Sequence, residues 1–138
     1  EEGRKSIALL PNLEDIALNS PKVSDRTINR IMCLKKLTAL SLSGTAVTDE
    51  NVPTLATLSQ LMVLNLSYTK ITGDSIKSIG QLNQLIELHL WGTSIGKGRL
   101  KPLRVLENLE ILEVRDTGVS DADVAELSAA LPNLKVFR

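Results

Sequence analysis

Aromatic residues are scarce in this chain, since only one Phe, one Trp and one Tyr occur among its 138 residues. The volume of any core must therefore come almost wholly from Leu, Ile and Val, which favours a fold that repeats one narrow aliphatic slot. Cys33 is the only cysteine, which excludes an internal disulfide. The chain has 16 Lys and Arg residues and 16 Asp and Glu residues, so its formal net charge is zero. This balance gives no general reason to expect a nucleic acid or an anionic membrane as partner.

Long apolar runs are also missing. None approaches the roughly 18 residues that a membrane span requires. Residues 1–5 are rich in charge, and the apolar stretch 7–10 that follows is too short for a signal peptide. With no cystine-rich cap either, we expect a cytoplasmic location, and a bacterial envelope protein is the open alternative.

Leucine, in contrast, is abundant and regularly spaced. Each of five blocks carries the pattern Leu-x-x-Leu-x-Leu or a close variant, as in Leu37, Leu40 and Leu42. The blocks begin 24 residues apart, and a sixth begins after 25 and ends as Leu134-x-x-Phe137. The first leucines of the blocks are Leu13, Leu37, Leu61, Leu85, Leu109 and Leu134. We predict a single repeat domain over residues 1–138, with residues 1–12 as a helical half-repeat or N-terminal cap and a partial repeat at 134–138.

Each block has two halves with different periods. The Leu-x-Leu core alternates in the way typical of a strand, and about ten residues later apolar positions fall at helical spacing, as at Ile76, Ile79 and Leu82. Between the halves lies a turn that carries a threonine in four blocks. We expect its hydroxyl to satisfy backbone groups that no sheet reaches. These residues are Thr45, Thr69, Thr93 and Thr117.

The start of each helical half is marked in the sequence as well. The pairs Ser24–Asp25, Thr48–Asp49 and Ser120–Asp121 are typical helix caps. Pro53 and Pro102 do not allow a full helical turn before them, so their helices should begin late or be 3₁₀-like.

Neither half can bury its apolar side alone, and stacking the blocks solves this by forming one continuous core. The phrase Leu-x-x-Leu-x-Leu-x-x-Thr-x-Val-Thr/Ser-Asp resembles the leucine-rich repeat family, and it is similar to the bacterial and F-box-type repeats. Thr stands where F-box-type repeats usually carry Cys. The resemblance covers residues 13–138 and implies an α/β solenoid, a right-handed horseshoe segment. It implies a parallel β-sheet on the concave face and short α or 3₁₀ helices on the convex face. Most family members bind proteins on the concave face, and the family has no shared catalytic residue.

Residues between the inward anchors should face the opening of the horseshoe. Early blocks place small side chains there, whereas blocks three to five gather the only Trp, the only Tyr and the only His with charged residues. Trp, Tyr and Arg are the residues that most often dominate binding energy at interfaces. We therefore predict a partner-binding site, named here the strand-face patch, made of Tyr68, Glu87, His89, Trp91, Glu113 and Arg115. The open alternative is that Trp91 rests in solvent against Arg115 by a cation–π contact and binds nothing.

Chemistry at the patch is not expected. His89 with two carboxylates suggests a metal site, or a general base beside Ser67, but both need a pocket that excludes water, and an open sheet face offers none. We predict no enzyme activity, no catalytic residue, no metal and no cofactor. Two other features have structural interpretations: Cys33 as a small packing residue, and a basic run as a solvated face, with an acidic partner as its alternative. That run comprises Lys97, Arg99, Lys101 and Arg104.

The leading hypothesis is a scaffold that binds a protein partner through its concave face. One alternative is a substrate-receptor or regulatory arm of a larger enzyme assembly, such as a ubiquitin ligase. A weaker one is a glycan-binding module in which Trp91 and Tyr68 stack on sugars. No nucleic acid or membrane partner is expected. The last strand would leave an unpaired edge, so edge-to-edge self-association of two chains is a further prediction.

Overall fold

The computed structural model describes residues 10–138, which form one six-stranded sheet with the strands in chain order. Every neighbouring pair is parallel, and the register advances by 24 residues from strand to strand. The predicted α/β solenoid with a parallel sheet is confirmed. The strands are β1 (Asp15–Ala17), β2 (Ala39–Ser41), β3 (Val63–Asn65), β4 (Glu87–His89), β5 (Ile111–Glu113) and β6 (Lys135–Phe137).

Short helices follow most strands and pack on the opposite side of the core from the exposed sheet face. Pro53 is the second residue of its α-helix and Pro102 the second residue of its 3₁₀ helix, which confirms the effect expected of both prolines. The α-helices are α1 (Asp25–Ile31), α2 (Val52–Leu55), α3 (Ile76–Ile79) and α4 (Asp121–Ala130), and the 3₁₀ helices are Gly73–Ser75 and Lys101–Val105. None of these helices is long and apolar enough to cross a membrane.

The core lies between the sheet and the helices and runs through all the blocks. The central residues of the four inner strands, such as Leu64 and Leu88, are fully buried, and so are helix residues such as Ile76 and Ile79. A buried side chain of this kind contributes about 1.5–3 kcal/mol relative to an exposed one. Because each block supplies the same slots, the blocks form one continuous aliphatic cluster.

The turn threonines behave as predicted. All four are buried, and each hydroxyl donates to the carbonyl oxygen three residues earlier, over 2.5–2.7 Å. These bonds lie within a block, so each hydroxyl closes its own turn rather than joining neighbouring blocks.

The capping predictions have three different outcomes. Ser120 forms a full capping box with Asp123 at the start of α4. Ser24 occupies the N-cap of α1 but makes no side-chain bond there. The prediction for Thr48–Asp49 is wrong, because α2 begins only after Asn51, and Asp49 bonds to block three instead.

The last block differs from the prediction in register. Val136, rather than Phe137, pairs with the buried Leu112, and Phe137 is 43% exposed beside Glu113. The reason is that only one residue separates Leu134 from its next anchor, where the earlier blocks have two.

Two predictions outside the sheet also need correction. Cys33 is exposed just after α1, with its thiol 2.9 Å from the carbonyl oxygen of Arg30, so it is not a packing residue. Leu10, within the predicted helical half-repeat or cap of residues 1–12, is instead 51% exposed and precedes a turn at residues 11–12. The rest of the predicted N-terminal half-repeat, including Ile7, lies outside the described residues.

Candidate functional site: the strand-face patch

The strand-face patch is assembled by the parallel register. Glu87 and His89 are the two outward residues of β4, and His89 pairs directly with Glu113 of β5. Trp91 and Arg115 follow these strands by two residues, and Tyr68 follows β3 by three. The structure brings all six residues into one contact network.

His89 lies between two carboxylates. Its Nδ1 is 3.1 Å from an oxygen of Glu113, and its Nε2 is 3.4 Å from an oxygen of Glu87. The two carboxylates meet opposite sides of the ring and do not converge on a point where a metal would sit. Over residues 10–138, no three side chains of the His, Cys, Asp and Glu types are placed to hold a metal ion. Ser67 is buried, and both imidazole nitrogens face carboxylates, so this arrangement is not a nucleophile–base pair.

Trp91 is fixed from three directions. Its Nε1 donates to a carboxylate oxygen of Asp116 at 3.0 Å, and the guanidinium carbon of Arg115 lies 5.6 Å from the ring centroid. The ring of Tyr68 packs beside it with centroids 5.1 Å apart and planes tilted by 46°. Asp116 was not among the predicted site residues. A half-buried indole N–H needs a hydrogen-bond acceptor. The acidic residue directly after Arg115, at the turn position, was the sequence signal for one.

Tyr68 has an unusual backbone conformation. Its φ is +56°, and the equivalent turn positions in blocks two and four are glycines with φ of +70° and +68°. A bulky residue in this left-handed region costs on the order of 1–3 kcal/mol, and such residues cluster at functional sites. Asp116 holds the same turn position in block five with φ of +52°. Gly92 makes room for the ring, because a Cβ there would lie 2.6 Å from a carbon of Tyr68.

The two aromatic rings of the patch differ in their exposure to solvent. Tyr68 is 52% exposed, whereas Trp91 is half-buried under its neighbours. Tyr68 is therefore the more accessible of the two rings, and it packs against Trp91.

The surroundings of the aromatic pair are mostly acidic. Asp116 contacts Trp91, and Glu87 and Glu113 lie beside His89 in the same patch. Arg115 is the neighbouring cation, with its Nε 3.7 Å from an oxygen of Glu113. The patch thus has an aromatic centre and a charged rim, the usual organisation of a protein-binding surface.

Known proteins show the same repeat and the same fold. The family model described as Leucine Rich Repeat matches residues 60–82. An internalin from Listeria monocytogenes superposes with a TM-score of 0.78 at 21% identity, over 95% of this chain and 36% of that one. Leiomodin-1 actin-binding site 2 gives 0.69 at 17% identity, over 96% and 87% of the two chains. TLR13, in its complex with ssRNA, gives 0.70 at 19% identity, over 95% and 19%. No match was found among curated protein sequences.

These likenesses extend along nearly the whole of this chain, although the chain spans only about a third of the internalin. Proteins built on this fold generally bind other proteins. The repeated Leu-x-x-Leu-x-Leu blocks, the parallel sheet and the matching family model lead to one conclusion. The chain has the leucine-rich repeat fold, and its residues 60–82 match the leucine-rich repeat family model.

Proposed function

We propose that this chain is a protein-interaction module that binds a partner protein through the strand-face patch. Two observations support the proposal. Proteins with this fold generally bind other proteins, and the matching region of leiomodin-1 is an actin-binding site. TLR13, another protein with a similar fold, has a structure in complex with single-stranded RNA. In this chain the carboxylates of Glu87, Glu113 and Asp116 would repel phosphates, which favours a protein partner.

The preorganised aromatic pair is the observation that carries the proposal. Tyr68 is held in a strained conformation and half exposed, on a tryptophan that is itself fixed by Asp116 and Arg115. Aromatic side chains immobilised before binding lose little conformational entropy when a partner arrives. Tolerating the strain of Tyr68 makes physical sense if the exposed ring makes such contacts.

The proposal is tested first with Tyr68→Gly. Glycine accepts the positive φ, so the variant should fold at least as stably as the wild type while losing the exposed ring. A partner is captured on the immobilised wild-type protein and purified, and its dissociation constant is measured for both forms. Loss of a dominant interface residue predicts roughly 30-fold weaker binding.

Val105→Ser is the matched control, since Val105 is a hydrophobic residue with 59% exposure on the helix side. It should bind the partner as the wild type does. Unchanged affinity of Tyr68→Gly, or loss of binding only in Val105→Ser, would place the interface elsewhere and refute the proposal.

A further inference from the structure

Block four is the irregular block of the solenoid. It has only the 3₁₀ helix Lys101–Val105 in place of an α-helix, and Gly96 and Gly98 adopt left-handed conformations just before it. An open cleft results between this loop and the helical half of block three. It encloses about 700 Å³ of space, part of it continuous with solvent. This cleft is called the block-four cleft below.

Basic side chains line the block-four cleft. Lys77 comes from block three, and Arg99 and Lys101 come from block four. Asp74 is the acidic residue that lines it, and it pairs with Arg99 at 3.1 Å. Because the whole chain has a formal net charge of zero, this positive surface is a local feature and not a consequence of general basicity.

The cations of the cleft are only partly neutralised. Lys101 lies 3.7 Å from a carboxylate oxygen of Glu126, outside the lining of the cleft. Within residues 10–138, Lys77 has no carboxylate partner inside 4.0 Å. Lys97 and Arg104 lie on the same segment of block four but do not line the cleft, and the charge of Lys97 acts on Asp123. A negatively charged ligand would therefore meet the positive charge of Lys77, which no carboxylate of the described residues pairs with.

Arg99 is held in place over the cleft. Gly73 has no side chain, and a Cβ there would lie 2.5 Å from the Cγ of Arg99, so the arginine stem crosses block three at this point. Asp74 then holds one guanidinium nitrogen. A guanidinium has five N–H donors, so the remaining ones can still bind a carboxylate.

The loop that carries Arg99 is held in place as well. The backbone N–H of Gly98 donates to Asp123 of block five at 2.9 Å. The cations are therefore presented by a loop that is tied to the blocks on both sides.

We propose that the block-four cleft binds an acidic peptide segment of a protein partner. The cations come from two successive blocks along an open cleft, which suits an extended chain with several carboxylates better than one small anion. No aromatic side chain lines the cleft, so it lacks the stacking surface that single-stranded nucleic acids use. The cleft lies on the helix side, so this site is separate from the strand-face patch.

The test uses a fluorescein-labelled octaglutamate peptide and measures its dissociation constant by fluorescence anisotropy at low salt. The triple variant Lys77→Gln, Arg99→Gln, Lys101→Gln removes the three lining cations and should weaken binding about tenfold. Lys22→Gln, Arg26→Gln, Lys35→Gln is the matched control, because it removes the same charges from exposed positions of block one. The control should change the affinity less than about twofold.

Two further measurements locate the ligand. In the ¹⁵N spectrum of the whole chain, the peptide should shift the amide signals of Gly73 and Gly98 and leave those of Trp91 and Gly92 in place. Sodium phosphate should displace the peptide no better than sodium chloride of equal ionic strength.

Equal weakening in the two triple variants would show non-specific attraction and overturn the proposal. So would signal shifts confined to the strand-face patch, or no binding by the wild type. Displacement by phosphate beyond the chloride control would assign the cleft to a single oxyanion instead of a peptide.

Discussion

At the scale of single residues, four threonines close the turns that follow the inner strands. Each has a buried hydroxyl that donates to a carbonyl oxygen three residues earlier. The turn position needs a donor that is small enough to be buried, and a threonine also adds a methyl group to the core. An aliphatic residue there would leave a carbonyl oxygen without its hydroxyl partner, far from water.

Thr45→Val tests this role, because it keeps the shape of the side chain and removes only the hydroxyl. Its bond to Leu42 is 2.7 Å long and buried, so the free energy of unfolding should fall by about 1–3 kcal/mol. Urea denaturation gives the measurement. Thr57→Val removes the same kind of bond, 2.8 Å to Thr54, at an exposed site, where water replaces the hydroxyl and little stability should be lost. Equal losses in the two variants would show that burial of the bond does not matter.

The strand-face patch was largely predictable at this scale. Parallel strands with a fixed repeat place residues 24 apart side by side, so His89 beside Glu113 followed from spacing alone. The left-handed conformation of Tyr68 did not follow, because a tyrosine gives no sign that it will adopt the backbone of the glycines at 44 and 92. The hydrogen bond from Trp91 to Asp116 was also missed, because it depends on the Trp91 side chain reaching the turn of block five.

At the scale of elements, the close approach of blocks three and four depends on a glycine in an ordinary helical conformation. Gly80 caps α3 with φ of −61°, where any residue is allowed. A Cβ at Gly80 would nevertheless lie 2.7 Å from the carbonyl oxygen of Pro102 in the 3₁₀ helix. Packing between the two elements, and not backbone conformation, therefore requires glycine here.

Gly80→Ala separates these two effects. Helix propensity alone predicts a gain of stability, whereas the contact with Pro102 predicts a loss of about 1–3 kcal/mol, and we expect the loss. Ser78→Ala, also in α3, is the control, because it raises helix propensity without this contact and should not destabilise the protein. Thermal and urea unfolding of both variants give the comparison. A Gly80→Ala protein as stable as the wild type would mean that the 3₁₀ helix shifts freely.

Element boundaries were predictable where local chemistry sets them and not where contacts between blocks do. Pro53 and Pro102 act through their own ring and missing N–H, and each is the second residue of a helix that begins late or is 3₁₀, as expected. The Thr48–Asp49 pair has the sequence of a helix cap, but Asp49 serves block three. The register of β6 was missed because a single residue is absent before Val136, and the pattern Leu134-x-x-Phe137 looked regular.

At the scale of the whole molecule, buried or half-buried carboxylates join neighbouring blocks on the helix side. Asp49 of block two accepts hydrogen bonds from the backbone and hydroxyl of Thr72, at 2.8 and 2.7 Å, and from the hydroxyl of Ser75. Asp123 of block five accepts from Ser120 and from the backbone N–H of Gly98 in block four. In a solenoid each block contacts only its neighbours, so such bonds contribute directly to cooperativity along the chain.

These carboxylates make the stability of the solenoid sensitive to acid. Burial raises the pKa of Asp49, but the hydrogen bonds from Ser75 and Thr72 outweigh it, and the pKa lies below its ordinary value of 3.8. The hydrogen bond from the Ser120 hydroxyl is the main cause that lowers the pKa of Asp123. A carboxylate with a lowered pKa in the folded state stabilises that state at pH above 3.8, and the contribution is lost as the pH falls through the folded-state pKa.

The free energy of unfolding should therefore decrease as the pH is lowered from about 6 to about 2. The double variant Asp49→Asn, Asp123→Asn should be less stable near neutral pH and should lose less on acidification, because the two titrations are gone. Urea unfolding at a series of pH values measures both effects. Glu50→Gln, Glu107→Gln changes the net charge equally at two exposed positions that join no blocks, so it corrects for general repulsion at low pH. If both double variants show the same pH dependence, the link between blocks is not what acid breaks. If only the aspartate variant flattens the curve, the carboxylates that join block two to three and block four to five are the acid-sensitive connections of the solenoid.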